Sequence, residues 1–205
     1  MAKPKIEADL STEQKIKEAA RNVFTKKGYS ATRTRDIAEE AGINLALLNY
    51  YFRSKEKLFE QVMMERMQQL FGTIGPIMMT ADTTLETKIE RIVSHYIDLL
   101  LENPDLPIFV LSEIRNESNL FSAKIPVAGL IEHSNFVAQL REKRPDIHPF
   151  HFLMSILGMV VFPFVASQVF ASIPQIQQKG FDKMMEERKT LIPVWVKAML
   201  DQPAR

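Results

Sequence analysis

The sequence predicts an all-α fold of about nine helices. Apolar residues recur at intervals of three and four along much of the chain, as they do at Ile16, Ala20 and Phe24, and this spacing gives a helix one apolar stripe. Residues that cap helices precede these segments, and Gly or Pro follows several of them. No segment of useful length alternates between apolar and polar residues as a half-buried strand does. The chain is long enough for one small and one larger helical unit, which we assign to residues 1–60 and 61–205.

The first sixty residues are predicted to contain three helices and the start of a fourth. Ser11 and Gln14 form a capping-box pattern, which predicts that the first helix begins at Ser11. That helix is expected to end at residues 26–28, Lys-Lys-Gly, where two cations precede a glycine that can adopt positive φ. Ser54 is placed to cap the fourth helix.

Residues 34–53 match the pattern of a helix-turn-helix. Ala38 is small enough for two helices to touch, and Gly42 can take the positive φ of a sharp turn. Asn44 can cap a second helix that runs from about Leu45 to Phe52. In a DNA-binding helix-turn-helix, this second helix lies in the major groove. An αα-corner without a role in DNA binding shares most of the pattern and is the alternative at this point.

A longer set of residues, in one register over residues 11–62, is more specific. It consists of Phe24, Gly28, Tyr29, Thr32, Asp36, Ile37, Ala38, Ala41, Gly42, Ile43, Leu48, Tyr50, Tyr51, Phe52, Ser54, Lys55, Glu56 and Leu58. At this spacing the segment resembles the DNA-binding domain of the tetracycline-repressor (TetR) family. The resemblance implies a homodimeric transcriptional regulator, a ligand-released repressor that binds a palindromic operator in double-stranded DNA. It also implies that the larger unit is a helical ligand-binding and dimerisation domain.

Ten residues are predicted to contact DNA. The resemblance assigns Lys55 to a phosphate, and side-chain chemistry favours a bidentate pairing of Asn49 with adenine. The full set is Thr34, Arg35, Asn44, Leu45, Ala46, Leu47, Asn49, Tyr50, Tyr51 and Lys55, in which apolar residues suit thymine methyl groups and hydroxyls suit phosphates. The family more often has Lys or Arg at the start of this helix and an aromatic residue at the position of Asn49. The sequence therefore leaves open which bases are read.

Charge is distributed unevenly along the chain. Residues 1–60 contain twelve Lys and Arg against nine Asp and Glu, whereas residues 61–205 contain fourteen against sixteen. The difference between a net +3 and a net −2 is modest, so placement is more informative than net charge. The cations that bracket the helix-turn-helix, as phosphate contacts on two walls of a groove would, are Lys26, Lys27, Arg33, Arg35, Arg53, Lys55 and Lys57. A solvated charged surface is the alternative for any one of them.

Caps and prolines place the helices of the larger unit. Residues 72–81, rich in Gly, Thr and Met, predict a loop or helix break. The predicted helices run from Thr83, which forms a capping box with Glu86, to Leu100; from Leu106 to Asn116; from Asn119 to Lys143; from Phe150 to Ala171; and from Phe181 to Leu200. Pro163 and Pro193 lie inside the last two helices and should kink or break them.

Residues 152–170 contain no charged residue, and a segment of this length is a candidate for a transmembrane helix. Polar or helix-weakening residues interrupt it at Ser155, Pro163 and Gln168, and no second such span follows. In the family that the chain resembles, the last two helices of each subunit form a four-helix dimer interface. A helix in that position is apolar nearly all round. We therefore predict a homodimer through the last two helices and no membrane partner.

The middle helices are the place where the resembled family binds a small ligand. Eleven Met in the chain favour an adaptable apolar lining. The predicted ligand-binding residues are His95, Tyr96, Phe109, Phe121, Phe152, Met159 and Phe162. Because few charges lie among these apolar faces, we predict a small hydrophobic effector. Met and Phe at helical spacing also occur as ordinary core, which is the alternative for each residue.

Other classes of protein fit the sequence less well. The chain has no Cys, which excludes disulfides and thiolate metal sites, and no nucleophile elbow, Gly-rich phosphate loop or paired-carboxylate motif is present. His148 and His151 could chelate a metal on a helix, but Pro149 lies between them without a nearby acidic ligand. We predict no enzyme activity, no metal and no cofactor, and a cytoplasmic location because the N-terminus lacks the apolar stretch of a signal peptide. An adaptor whose helix-turn-helix contacts only proteins is the alternative to a DNA-binding regulator.

Overall fold

The computed structural model describes residues 4–115, 127–173 and 178–203. Within these ranges the regular structure is α-helical and comprises eleven helices. They are α1 (Pro4–Ala31), α2 (Thr34–Glu40), α3 (Leu45–Tyr51), α4 (Lys55–Met79), α5 (Leu85–Glu102), α6 (Leu106–Arg115), α7 (Val127–Glu132), α8 (Asn135–Lys143), α9 (Pro149–Val165), α10 (Ser167–Ala171) and α11 (Gln178–Leu200). The predicted all-α fold is confirmed.

Two predicted helices are each divided, which accounts for eleven helices in the described ranges where nine were expected. The helix expected over residues 119–143 is interrupted before α8, where the Ser134 hydroxyl accepts the N–H of Val137 and caps a new helix. The helix expected over residues 150–171 is interrupted at Ala166, which separates α9 from α10. A side-chain cap therefore divides the first of these segments, whereas Ala166 interrupts the second without a side-chain cap.

The starts of α1 and α5 are among those that differ from the prediction. α1 begins at Pro4, so Ser11 lies inside the helix rather than at its start. The cap of α5 is Thr84, whose hydroxyl accepts the N–H of Thr87, one residue later than the predicted cap at Thr83. Both errors concern the N-terminal ends of helices. There, Thr83 and Thr84 give nearly the same capping pattern, and α1 has a second possible start upstream of Ser11.

α4 is continuous where a loop or break was predicted over residues 72–81. Gly72 and Pro76 both lie inside the helix. Ile74 and Met78 are buried on the same stretch, so the packing of these side chains outweighs the low helix propensity of Gly and Pro. The expected boundary between the two units therefore falls within α4, which takes part in both.

α1, α2, α3 and the first turns of α4 form the small N-terminal unit. Gly28 ends the main run of α1 with φ 74°, as the sequence predicts. The side chains that join these helices, each at most 2 % exposed, are Ile16, Ala20, Phe24, Ile37, Leu48 and Leu58. The apolar stripe of α1 thus packs directly behind the helix-turn-helix and holds it in place.

α5 is the central helix of the larger unit and packs against α4, α8, α9 and α11. The α5 residues that fill the centre, each at most 2 % exposed, are Ile89, Val93, Ile97 and Leu100. Lys88 is also fully buried, and its ammonium donates to the side-chain oxygens of Asn135 at 2.6 Å and Gln139 at 2.7 Å on α8. Burial lowers the pKa of Lys88 below its ordinary 10.5, because neutral amides compensate only part of the lost hydration.

Neither Pro163 nor Pro193 ends its helix, and both α9 and α11 continue beyond these residues. Pro163 has no N–H to donate to the carbonyl of Met159, one turn earlier. The Nη2 of Arg188, on α11, donates to that oxygen at 2.8 Å instead. A side chain of one helix therefore completes the main-chain hydrogen bonding of the other.

The uncharged segment, residues 152–170, is divided between α9 and α10. Phe152, Ile156, Val160 and Phe164 bury one side of α9 in the core. None of the helices in the described ranges combines the length and the hydropathy that a membrane crossing requires.

Candidate nucleic-acid interface

The turn between α2 and α3 has the geometry that the sequence predicts. Gly42 has φ 67°, a left-handed conformation that residues with a Cβ rarely adopt. The N–H of Ile43 donates to the carbonyl of the buried Ala38 at 3.0 Å. The Oδ1 of Asn44 accepts the N–H of Leu47 at 2.8 Å and caps α3. These short-range interactions fix the angle between the two helices.

α3 buries one side and exposes the other. Leu48 is 1 % exposed, and Phe52, directly after the helix, is buried as well. Ala46, Asn49 and Tyr50 are exposed, Tyr50 with 78 % of its surface. Because these three residues are spaced by three and four, they lie on one face of the helix, which points to solvent.

The remaining residues predicted to contact DNA surround this face. Arg35, Asn44 and Leu45 are exposed, whereas Thr34, Leu47, Tyr51 and Lys55 are half-buried. Tyr51 packs against the hydrophobic core, and the ring of Tyr50 stands edge-on to it with 5.4 Å between centroids. The Tyr51 ring therefore supports the helix, while the Tyr50 ring projects from it.

Lys55 has a structural role that the sequence did not reveal. Its ammonium donates to the carbonyls of Tyr29 at 2.9 Å and Thr32 at 3.0 Å. The same group lies 4.2 Å from the centroid of the Tyr29 ring, within range of a cation–π interaction. These contacts tie the start of α4 to the segment that leads into α2. An ammonium has three donors, so the geometry is compatible with one further bond to a phosphate.

Lys26 and Lys27, on the α1 side of the motif, are paired with carboxylates of α2. The Nζ of Lys27 lies 3.1 Å from the carboxylate of Asp36, and that of Lys26 lies 3.9 Å from Glu40. Asp36 also accepts the N–H of Arg33 at 3.0 Å at the start of α2. This hydrogen bond, together with Lys27, holds the pKa of Asp36 below its usual 3.8. Part of the positive charge that the sequence placed beside the motif therefore stabilises the motif itself.

Arg35, Arg53 and Lys57 are more available for phosphate contacts than Lys26 and Lys27. Arg35, Arg53 and Lys57 are exposed, and none of them forms an ion pair with a residue that the structure describes. Arg35 stands at the start of α2, and Arg53 and Lys57 flank the start of α4. They lie on the two sides of α3 in the chain, which is the arrangement expected of phosphate contacts.

Comparisons with known proteins identify the family. Residues 16–62 match the family model described as "Bacterial regulatory proteins, tetR family". The chain is also 26 % identical over 202 residues to the "Probable HTH-type transcriptional regulator YttP" of Bacillus subtilis (strain 168), over 93 % of this chain and 94 % of that protein. Residues 16–62 are therefore a TetR-family DNA-binding segment. Members of this family bind operator DNA and act as dimers.

Two further comparisons agree. The chain is 31 % identical over 120 residues to the "HTH-type transcriptional repressor KstR2" of Mycolicibacterium smegmatis, which covers 52 % of this chain and 58 % of that protein. The solved structure of the "TetR Family Transcriptional Regulator PfmR" from Thermus thermophilus has a TM-score of 0.58 at 20 % identity, over 87 % of this chain and 97 % of that one. The shared fold therefore extends beyond the helix-turn-helix into the larger unit.

The residues that were predicted to bind a ligand lie in different places. Phe109 lines a cavity of about 460 Å³ between α6 and the N-terminal unit. Phe152 lines another, of about 680 Å³, beside the C-terminal end of α11. Phe121 lies outside the described residues. The structure therefore does not bring Phe109 and Phe152 to one site.

Four further predicted ligand residues differ in exposure. His95 and Phe162 are exposed, Phe162 with 60 % of its surface, whereas Tyr96 and Met159 are half-buried. Burial raises the pKa of Tyr96 to about 12, so its hydroxyl is protonated at neutral pH. Of these four, Tyr96 and Met159 are the ones that the larger unit partly encloses.

Two hydrogen bonds connect α1 directly to the corner between α5 and α6. The N–H of Tyr29 donates to the carboxylate of Asp105 at 2.7 Å, and the Thr25 hydroxyl donates to the carbonyl of Glu102 at 2.6 Å. These pairs are 76 and 77 residues apart in the chain, so no local pattern could have indicated them. They give the larger unit a direct contact with the end of α1.

α9 and α11 each expose apolar side chains. On α9 these are Phe150, Met154, Leu157 and Phe162, and on α11 they are Met184, Leu191, Val194 and Trp195. The two helices pack against each other. Their exposed residues therefore belong to neighbouring elements, unlike the scattered single apolar residues that are usual on protein surfaces.

Proposed function

We propose that this TetR-family regulator is a homodimeric repressor that binds a palindromic operator and releases it when a small ligand binds. The exposed face of α3, formed by Ala46, Asn49 and Tyr50, is the observation that carries the DNA-binding part of the proposal. The buried Leu48 anchors the helix behind that face. A helix held in this way can enter a major groove with its polar side chains directed at base edges.

Each exposed side chain has a role that its chemistry suits. The amide of Asn49 pairs bidentately with an adenine, and Ala46 packs against a thymine methyl group. The hydroxyl of Tyr50 donates to a phosphate, as do Arg35 and Lys55, which fix the position of the helix without reading sequence. Asn49 is therefore the main source of base preference in this proposal.

A second copy of the chain covers the apolar faces of α9 and α11. Met154, Phe162 and Val194 are exposed apolar side chains, and packing them against a partner lowers the free energy because it removes apolar surface from water. A two-fold dimer places two α3 helices in successive major grooves, roughly 34 Å apart along the DNA. This arrangement requires a palindromic operator.

A small hydrophobic effector bound in the larger unit controls this spacing. Such a ligand releases DNA only to the extent that it binds the released form more tightly than the operator-bound form. Repression by this chain is supported by its similarity to KstR2, an HTH-type transcriptional repressor. If an effector strengthened operator binding instead, release by ligand would be rejected while the DNA-binding proposal stood.

Selection of bound duplexes from a random pool, with the purified full chain at low ionic strength, tests the proposal. We expect a palindromic consensus whose binding weakens steeply with salt. Asn49→Ala should relax the preference at one position of each half-site, with a loss of about 1–3 kcal/mol of discrimination there. Asn22→Ala, an exposed Asn on α1, is the matched control and should leave the consensus unchanged.

Two results would reject the proposal. Failure to enrich any sequence at low salt, with and without candidate effectors, would remove the DNA-binding function. An unchanged consensus for Asn49→Ala would leave DNA binding intact and reject the adenine contact.

A further inference from the structure

We propose that the cavity between the N-terminal unit and α6 binds a planar aromatic cation. Its volume, about 460 Å³, lies within the usual range for small-molecule sites of roughly 300–1,000 Å³. Its walls come from both units: residues 28–31 and the start of α4 on one side, and α6 with Gln168 of α10 on the other. Its acidic lining and its position between the two units distinguish this site from the hydrophobic effector site proposed within the larger unit, for which Phe109 was also predicted.

The apolar part of the cavity consists of aromatic rings in mutual contact. The centroids of Tyr29 and Phe59 are 4.6 Å apart, and those of Phe59 and Phe109 are 5.7 Å apart with the rings perpendicular. Ile108, half of whose surface is exposed, forms part of the same lining. Rings and an aliphatic side chain around one opening favour a flat apolar ligand body over a compact polar one.

The charged part of the lining is acidic. Glu56, Glu60 and Asp105 contribute carboxylates, and the cation of the lining, Lys27, has its ammonium 3.1 Å from Asp36 on α2. The positive charge of Lys27 is therefore largely balanced outside the cavity. The Lys55 ammonium, 4.2 Å from the Tyr29 ring centroid, offsets one of the three carboxylates, and the potential of the cavity remains negative.

The protonation state of the Tyr29 hydroxyl is consistent with a negative potential in the cavity. Burial raises the pKa of the Tyr29 hydroxyl, and the nearby Glu56 and Glu60 raise it further because they repel a phenolate. The Lys55 ammonium already lies over the Tyr29 ring, so the same carboxylates favour a ligand cation beside Glu56, Glu60 and Asp105 rather than over that ring. Aromatic faces beside carboxylates bind organic cations through cation–π and charge interactions together.

An anionic ligand would meet three carboxylates here, and a neutral one would gain nothing from them. A planar aromatic cation uses both parts of the lining. Since its contacts would extend from residues 28–31 to α6, it would favour one relative placement of the two units and thereby change operator affinity. Only this regulatory consequence rests on the proposed function, because binding to the cavity needs no DNA.

Binding of N-methylacridinium to the full chain in the absence of DNA tests the site. Acridine, measured at a slightly alkaline pH where it is uncharged, has nearly the same shape and serves as the matched neutral probe. We expect calorimetric titration to give a dissociation constant for acridine about fivefold or more above that for N-methylacridinium. Equal affinities, or no binding of the cation, would overturn the proposal.

Variants locate the binding to this cavity. The double variant Glu56→Gln/Glu60→Gln should weaken binding of N-methylacridinium about fivefold. Glu132→Gln/Glu142→Gln removes the same charge at two exposed positions elsewhere and should have no effect. If both double variants weakened binding of N-methylacridinium equally, the affinity would depend only on the net charge of the protein, and the site would be rejected.

The operator selected above then separates the two proposals. If the cation binds as expected but leaves operator affinity unchanged, the site stands and its regulatory consequence is rejected. If no operator is found but the cation binds and responds to the variants, the proposed function fails while the cavity assignment holds.

Discussion

The exposed face of α3 and the exposed faces of α9 and α11 differ in chemistry. α3 presents a small apolar residue, an amide and a phenol, at Ala46, Asn49 and Tyr50, with cations on both sides. α9 and α11 present larger apolar side chains, among them Phe162 and Val194. A surface that meets a polyanion needs donors and cations, whereas a surface that meets a copy of itself can be apolar. The side chains that a helix leaves exposed therefore indicate what kind of partner covers them.

The largest expected effect is that of Phe162→Glu on self-association. Phe162 is 60 % exposed in the single chain, so the variant should fold. In a dimer the new carboxylate would be buried without a partner, at a cost of about 3 kcal/mol or more. The dimer dissociation constant should rise roughly 100-fold or more, which analytical ultracentrifugation measures over a concentration series.

Met79→Glu is the matched control for this experiment. Met79 is 43 % exposed at the end of α4, outside the α9 and α11 faces. The control should self-associate like the original chain. A Phe162→Glu variant that remained as dimeric as the control would show that this face is not the interface.

Lys55→Ala should affect both stability and DNA binding, whereas a neighbouring lysine should affect only the latter. Removal of the ammonium leaves the carbonyls of Tyr29 and Thr32 without their donor, so the free energy of unfolding should fall by about 1–3 kcal/mol. Urea denaturation measures this loss. Lys57→Ala, at an exposed position, should leave unfolding unchanged and reduce the salt slope of operator binding by about one. Equal stability of the two variants would show that Lys55 contacts only DNA.

Gly42→Ala and Gly72→Ala should change stability in opposite directions. Gly42 has φ 67°, so a Cβ there should cost about 1–2 kcal/mol and misplace α3. Gly72 lies inside α4 with open space around it, so alanine should stabilise the helix by about 0.5–1 kcal/mol. Thermal unfolding of the two variants gives the comparison. A destabilised Gly72→Ala would contradict the continuous α4.

The smallest expected effect is on the pH dependence of the larger unit. Because burial lowers the pKa of Lys88, the folded chain releases this proton at a lower pH than the unfolded chain does. Stability should therefore rise with pH between that lowered pKa and 10.5, and Lys88→Met should remove the rise. Urea unfolding at a series of alkaline pH values measures the slope. Lys183→Met, at an exposed lysine of α11, should retain it, and a slope common to both variants would assign it to other groups.

The sequence predicted the helix-turn-helix to within one residue because its signals are local. Gly42 takes the positive φ of the turn. Asn44 caps α3 and Ser54 caps α4, each through a hydrogen bond to a residue at most four positions away. The resemblance to the TetR family depended on the same short segment. Both succeeded because the geometry of a turn is largely set by the residues in it.

Predictions for the larger unit were less accurate because they depended on packing between distant segments. Gly72 and Pro76 lower helix propensity locally, yet the core holds α4 together through them. The cap at Ser134 carried a local signal that the longer apolar pattern masked. The separate cavities of Phe109 and Phe152 could not be predicted, because they depend on how α6 and α9 sit against other helices.

The bond between Arg188 and the carbonyl of Met159 limits how α11 can move relative to α9. A slide of one helical turn, about 5.4 Å, would withdraw the guanidinium and leave that oxygen without a donor beside Pro163. The hydrogen bond that replaces the one missing at Pro163 would then be lost. α9 and α11 should therefore move together as one rigid unit. Rearrangements of the subunit should shift this unit relative to the neighbouring helices, without sliding α11 along α9.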